Sequence, residues 1–382
     1  MGRDVLHWLL RWQLPVKVPL LDLQKQNAEL EPRLTEAFGR VLKSGRFIGG
    51  PEVESFEQAV ALLLGVSHAI GVSSGTDAIL LALMALDIGP GDEVICPSFT
   101  FFATGGCVAR VGATPVFADS CPVCFNIDVA DARRRVTDRT KAIIPVHLFG
   151  QCADMDAVMS LASDHKLAVI EDAAQALGAC YKGRAAGSIG VCGTFSFYPS
   201  KNLGAFGDAG MLVTNDAEFA SKARLLRNHG AEERYFHKKV GGNFRLDPIQ
   251  AALLSVKLEH LESYSRRRES NARYYTSQLT GIEGLRLPEA HPYNRHIWNQ
   301  YTLRVPTRRE GFREFLGSRD IGSEIYYPLP LHAQECFFPL GSIRLPLAER
   351  LAAECVSIPI YPELTQDQLN AVVEATREFS LS

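Results

Sequence analysis

Lys201 stands where a strand-like run meets a glycine-rich turn, in FSFYPSKNLGAFGDAG from Phe195 to Gly210. An amine set among small and aromatic residues is desolvated, and its pKa falls because the charged form loses hydration. The neutral amine then adds to carbonyls as a Schiff-base lysine. A solvated surface lysine would do neither, and the segment upstream decides between the two. LAVIEDAAQALGA, Leu167 to Ala179, reads as a buried strand ending in the carboxylate of Asp172. Pyridoxal phosphate (PLP) asks a protein for both groups, a lysine for its aldehyde and an acid to keep its pyridine nitrogen protonated. Lys201 and Asp172 are therefore the expected catalytic pair.

GVSSGTDAILLALMAL, Gly71 to Leu86, puts a small-residue turn between a strand and a helix. Backbone N–H groups and the positive end of the helix dipole suit a phosphate there, although SSGT also serves as a plain helix cap. Ser196 precedes Lys201 on the same strand and offers a hydroxyl to that phosphate. In CPSFTFFATGG, Cys96 to Gly106, Phe101 follows a strand end, where it either stacks on a pyridine ring or packs in the core.

Placing these groups together takes a sheet with helices on both faces, and the chain alternates accordingly from Ala69 to Thr214. Strands are expected at 69–73, 93–96, 114–117, 142–146, 168–172, 194–197 and 210–214, with helices at 77–86, 103–111, 155–166 and 219–228. Ligands of such sheets bind beyond the carboxyl ends of the strands, which is where Ser73–Thr76, Ser98–Phe101, Asp172 and Lys201 fall. After Asp247 a long helical stretch is expected from Pro248 to about Leu279. Short strands at 298–305 and 323–327 and helices at 345–355 and 366–379 follow. The expected division is an amino-terminal extension (1–17), a large domain (18–260) and a smaller domain (261–382).

A chain of 382 residues with net charge −3 and 22% charged residues buries a large core and offers no basic surface for nucleic acid. No apolar run is long enough to span a membrane, and no signal-peptide cleavage pattern opens the chain. Val5–Trp12 is apolar for a terminus and is expected to dock on the body or on a partner subunit, with contact to a membrane surface as the alternative. The nine cysteines are scattered, which fits a reducing cytoplasm. Cys121 and Cys124 form a lone CPVC with no second pair nearby in sequence, so no metal site is expected.

The ordered segments VPLLDLQKQ, SGRFIGGPEVESFE, GVSSGTDAILLAL, GPGDEVICPSFTF, IIPVHLFGQ, VIEDAAQALGA, FSFYPSKNLG, GGNFRLDPIQAALL, IYYPLPLHAQ and SIPIYPEL resemble the DegT/DnrJ/EryC1/StrS family of sugar aminotransferases from Val18 to Ala375. The resemblance implies an α/β fold of type I among PLP-dependent transferases: a mixed, mostly parallel sheet flanked by helices, with a smaller α+β domain. It also implies a homodimer with shared active sites. By position, Lys201 corresponds to the cofactor lysine, Asp172 to the partner of the pyridine nitrogen, Gln175 to the residue near the phenolic oxygen and Phe101 to the stacking ring. Gly75, Thr76 and Ser196 correspond to phosphate ligands, and Asn243 in GGNFR to an asparagine that reaches the phosphate from the neighbouring subunit. Arg245 faces substrate, as do Tyr327 and His332, which otherwise pack the small domain. Dehydratase relatives replace the lysine with histidine; this chain keeps Lys201, as amino transfer requires.

The expected reaction moves the amino group of glutamate or glutamine onto a nucleotide-linked 3-keto sugar, in amino-sugar biosynthesis for a surface polysaccharide or secondary metabolite. YYPLPLHAQ resembles relatives acting at carbon 3 more than those acting at carbon 4, and Arg245 suits a carboxylate on the sugar or on the amino donor. A 4-keto sugar or a keto-cyclitol is the enzymatic alternative. A PLP-binding regulator or inactive scaffold is the non-enzymatic one.

Overall fold

In the computed structural model, residues 16–121 and 123–381 are described, so the apolar segment Val5–Trp12 lies outside them. Seven strands form the main sheet: β1 (His68–Val72), β2 (Glu93–Pro97), β3 (Thr114–Ala118), β4 (Thr140–Ile143), β5 (Ala168–Asp172), β6 (Cys192–Ser196) and β7 (Gly210–Thr214). Their order is β1-β7-β6-β5-β4-β2-β3. β7 is antiparallel to both neighbours and all other pairings are parallel, so β1 to β6 end at one edge. The fold is α/β with a mixed, mostly parallel sheet, as expected.

Period-two alternation explains how the sheet is held. Ile70, Val72, Ile170 and Leu212 point into one buried cluster. Ala69, Val169, Met211 and Val213 point into the other. Both faces are therefore covered by helices, as parallel strands require. Two glycines serve close approach at the working edge. A Cβ on Gly75 would lie 2.7 Å from the Ser196 Cβ, and one on Gly210 would lie 2.4 Å from the Ser74 carbonyl carbon.

Two expectations are corrected. The stretch from Pro248 to Leu279 is two helices, Pro248–Leu258 and Leu261–Leu279. The strand expected at 323–327 reduces to one isolated bridge, Glu324 with Ser357; the partner strand there, Cys355–Ile358, pairs instead with Tyr301–Arg304. Two helices precede the sheet, Leu23–Ser44 and Pro51–Leu64. Asp22 caps the first, its carboxylate accepting from Gln24 N–H at 3.0 Å, and Gly45 and Gly65 close the two at φ 64 and 65. Leu30, Leu34, Ala37 and Val41 pack the first helix on Ala252, Leu253 and Val256. A third core joins Val18 to Tyr275, Tyr301, Phe312, Val356 and Val372, so the chain near residue 18 packs with the carboxyl-terminal part.

Candidate active site

The carboxyl-end edge of the sheet opens into a cavity of about 550 Å³. It brings together Gly75, Thr76, Phe101, Asp172, Gln175, Ser196, Lys201 and Tyr327. Asn243, Arg245 and His332 are not among its lining residues.

Lys201 sits in the turn after β6, its N–H donating to Tyr198 O at 2.8 Å. Gly204 O accepts from Lys257 Nζ at 2.6 Å and Phe206 N–H donates to Gln250 Oε1 at 2.9 Å, which holds the turn. Lys201 keeps partial exposure through the cavity, yet burial pulls its amine down to about 8 against the opposing charge of Asp172. Near neutrality the amine thus exchanges its proton readily, as a Schiff-base lysine must.

Asp172 ends β5 and is 4% exposed. Its Oδ2 accepts from Thr104 Oγ1 at 2.8 Å and its Oδ1 from Ala174 N–H at 3.2 Å. Among the described residues no side chain forms an ion pair with it. Burial raises its pKa, outweighing those hydrogen bonds. A carboxylate so placed gains from a cationic partner such as a protonated ring nitrogen. Behind it, Glu171 accepts from His147 Nε2 at 2.8 Å and from the N–H groups of Gly187, Ile189 and Gly190 at 2.8, 2.6 and 2.7 Å. His147 Nδ1 accepts from Ala153 N–H, so its proton lies on Nε2. This buried network fixes the end of β5.

Ser74 is a true helix cap: its Oγ accepts from Asp77 N–H at 3.0 Å. That leaves the N–H groups of Gly75 and Thr76 at the start of the helix Gly75–Ala85, and the Ser196 hydroxyl, for an anion. Gln175 accepts from Phe149 N–H at 2.7 Å and donates to Tyr327 Oη at 3.2 Å. Phe101 is 56% exposed rather than packed in the core, with its ring 6.0 Å from that of Tyr327. The desolvated amine, the buried carboxylate without a cation, the anion cradle and the exposed ring fit PLP.

The remaining expected residues lie elsewhere. His332 is buried, its Nδ1 2.7 Å from Ser98 Oγ and its Nε2 3.4 Å from Glu349 Oε1; it staples the Leu331–Ala333 turn to the end of β2 instead of facing the cavity. Arg245 donates to Asn228 Oδ1 at 2.8 Å and borders a second cavity of about 620 Å³ with Lys222, Arg224 and Arg227. Asn243 is exposed beside it, bridged to Asn228. Sequence reasoning missed Thr104, Tyr198, Asp208 and Tyr326. Thr104 alone carried a signal, standing one helical turn after Thr100, and the two hydroxyls lie 3.2 Å apart.

The Lys201 amine sets a pH dependence. Only the neutral amine captures an aldehyde, so the rate at which apo-protein takes up PLP should rise with pH and level off above about 8. Stopped-flow mixing across pH checks this; a rate still rising towards the ordinary lysine value of about 10.4 would show a solvated amine.

The DegT/DnrJ/EryC1/StrS aminotransferase family profile matches residues 28–377. A "Pleiotropic regulatory protein" from Geobacillus stearothermophilus is 48% identical, covering 95% of this chain and 99% of that protein. A UDP-N-acetyl-3-dehydro-alpha-D-glucosamine 3-aminotransferase from Acidithiobacillus ferrooxidans is 45% identical, over 94% and 97%. Among solved structures, S. venezuelae DesV in complex with a ketimine intermediate superposes with a TM-score of 0.93 at 43% identity, covering 96% of this chain and 99% of that one.

Proposed function

From the premise that the chain belongs to the DegT/DnrJ/EryC1/StrS aminotransferase family and is a PLP-dependent aminotransferase, we propose that it moves the amino group of L-glutamate onto a nucleotide-linked 3-keto sugar. The cavity carries this reading, because it joins the desolvated Lys201 to the buried Asp172. The similarity to an enzyme named for amination at carbon 3 supports the acceptor.

When bound, PLP supplies an electron sink. Lys201 would take the proton from the donor's α-carbon and deliver it to the cofactor's former aldehyde carbon within the first half of a ping-pong cycle, and would make the reverse transfer to the acceptor carbon in the second. Asp172 holds the ring-nitrogen proton, its two oxygens aimed by Thr104 and Ala174. Gly75, Thr76 and Ser196 would hold the phosphate and Phe101 would stack on the ring, while Gln175 orients the Tyr327 hydroxyl.

The amino sugar so made suits a surface polysaccharide or secondary metabolite. A reducing cytoplasm is the compartment proposed for the enzyme; none of the nine cysteines is in a disulfide. No helix among the described residues is long and apolar enough to cross a membrane. The regulator named among the relatives favours a non-catalytic role, against which stands the intact Lys201–Asp172 pair. A panel of UDP- and dTDP-linked 3-keto and 4-keto sugars and a keto-cyclitol tests the acceptor. Turnover of 3-keto compounds is expected; amination confined to 4-keto sugars or the cyclitol would overturn the carbon assigned.

The site is completed across a homodimer in this reading. Its support is that Asn243 is exposed and lies off the Lys201 cavity of its own chain. A hydrogen bond to a phosphate is worth about 1.5–3 kcal/mol, so Asn243→Ala should weaken PLP binding roughly tenfold or more. Heterodimers of Lys201→Ala and Asn243→Ala subunits should regain one intact site. Verified heterodimers with no activity would argue for sites built within one chain.

A further inference from the structure

Away from the Lys201 cavity, the loop after β3 and the segment before the short strand Asn294–Arg295 bring Cys121, Cys124 and His291 together. The two sulfurs and a ring nitrogen all lie within 4.8 Å of one another. Cys124 is buried, and Cys121 and His291 are half-buried. We propose that this cluster binds a thiophilic divalent cation, zinc in the first instance, through two thiolates and one imidazole, with water completing a tetrahedral shell.

The chemistry follows from the donor set. Two cysteines separated by two residues form half of a common zinc site, and what CPVC lacked in sequence was a nitrogen donor. The fold supplies one from a distant segment. Two thiolates and a neutral imidazole cancel the charge of the ion, so a half-buried position holds it without a net charge. A disulfide would use only the sulfurs and leave the placement of His291 without a purpose. That imidazole is already oriented, stacked on Tyr293 with ring centroids 5.1 Å apart and planes 8° apart.

Both arms of the cluster rest on one pair of residues, Asn126 and Gln151. His291 N–H donates to Gln151 Oε1 at 2.7 Å, Cys121 N–H donates to Asn126 O at 2.6 Å, and Asn126 Nδ2 donates to Gln151 O at 3.0 Å. Asn126 Oδ1 also accepts from Leu148 N–H at 2.9 Å, and Leu148 lines the Lys201 cavity. The ion thus clamps two loops behind one wall of the active site.

Elemental analysis of the purified protein after passage over a chelating resin is expected to find about one zinc per chain. Cys121→Ser/Cys124→Ser should lose it, and His291→Gln should surrender it to a chelator that the wild type resists. Cobalt(II) put in place of zinc in the wild type should give the intense bands of a tetrahedral thiolate site, at wavelengths beyond those of PLP; this reading stands even where the double variant fails to fold. Wild-type protein that takes up neither metal, a Cys121–Cys124 disulfide in freshly isolated protein, or unchanged zinc in the folded double variant would each overturn the site.

Discussion

Lys201→Ala is expected to lower kcat by about 10²–10⁴-fold, the usual contribution of a positioned proton-transfer group. The loss should fall on both half-reactions, because the same amine would serve the proton transfer between substrate carbon and cofactor in each. The fold should survive. Lys201 is only partly buried and its amine forms no ion pair among the described residues; its removal takes one opposing charge from the neighbourhood of Asp172, which keeps its hydrogen bonds from Thr104 and Ala174. Circular dichroism and the PLP content of the purified variant separate lost chemistry from lost structure. A variant that retains turnover within a few-fold of the wild type would remove Lys201 from the reaction.

Asp172→Asn is expected to keep the fold and lose most of the activity. In the protein, Asp172 is a buried carboxylate whose pKa is raised by burial, and a neutral amide relieves that cost. Asn can still accept from Ala174 N–H and can donate to Thr104 Oγ1, so both existing contacts have replacements. What it cannot do is favour a proton on the ring nitrogen of PLP. A hydrogen bond to a charged group is worth about 1.5–3 kcal/mol, which predicts a fall in kcat of roughly 10- to 150-fold. Single-turnover rates with glutamate, measured beside the thermal midpoint, check both halves. Near-normal rates in both half-reactions would mean that the carboxylate serves the fold alone.

The parts legible in the sequence were those fixed by short-range pattern. Strands β5 and β7 were expected at their observed bounds because apolar runs meet a carboxylate or a glycine there. Lys201 and Asp172 stood out because each is a charge at the edge of such a run. The helix Leu23–Ser44 carried a readable stripe of Leu30, Leu34, Ala37 and Val41, but Pro32 and a polar remainder masked it. The two readings left for His332, facing substrate or packing, could not be separated because its burial depends on Ser98 and Glu349, which no local spacing reveals. His291 beside CPVC was invisible for the same reason, since only the fold joins those segments. The split between Leu258 and Leu261 left no glycine or proline to announce it.

Two lysines compete for the central role on physical grounds, and one measurement separates them. Burial pulls both Lys201 and Lys257 down to about 8. Lys257, however, is spent on Gly204 O and does not line the cavity, whereas Lys201 does. Borohydride reduction of the PLP-loaded protein, followed by peptide mapping, reads the attachment directly. The cofactor label is predicted on the peptide that contains Lys201; a label on Lys257 or any other lysine, or none on a protein that retains PLP, would contradict the account.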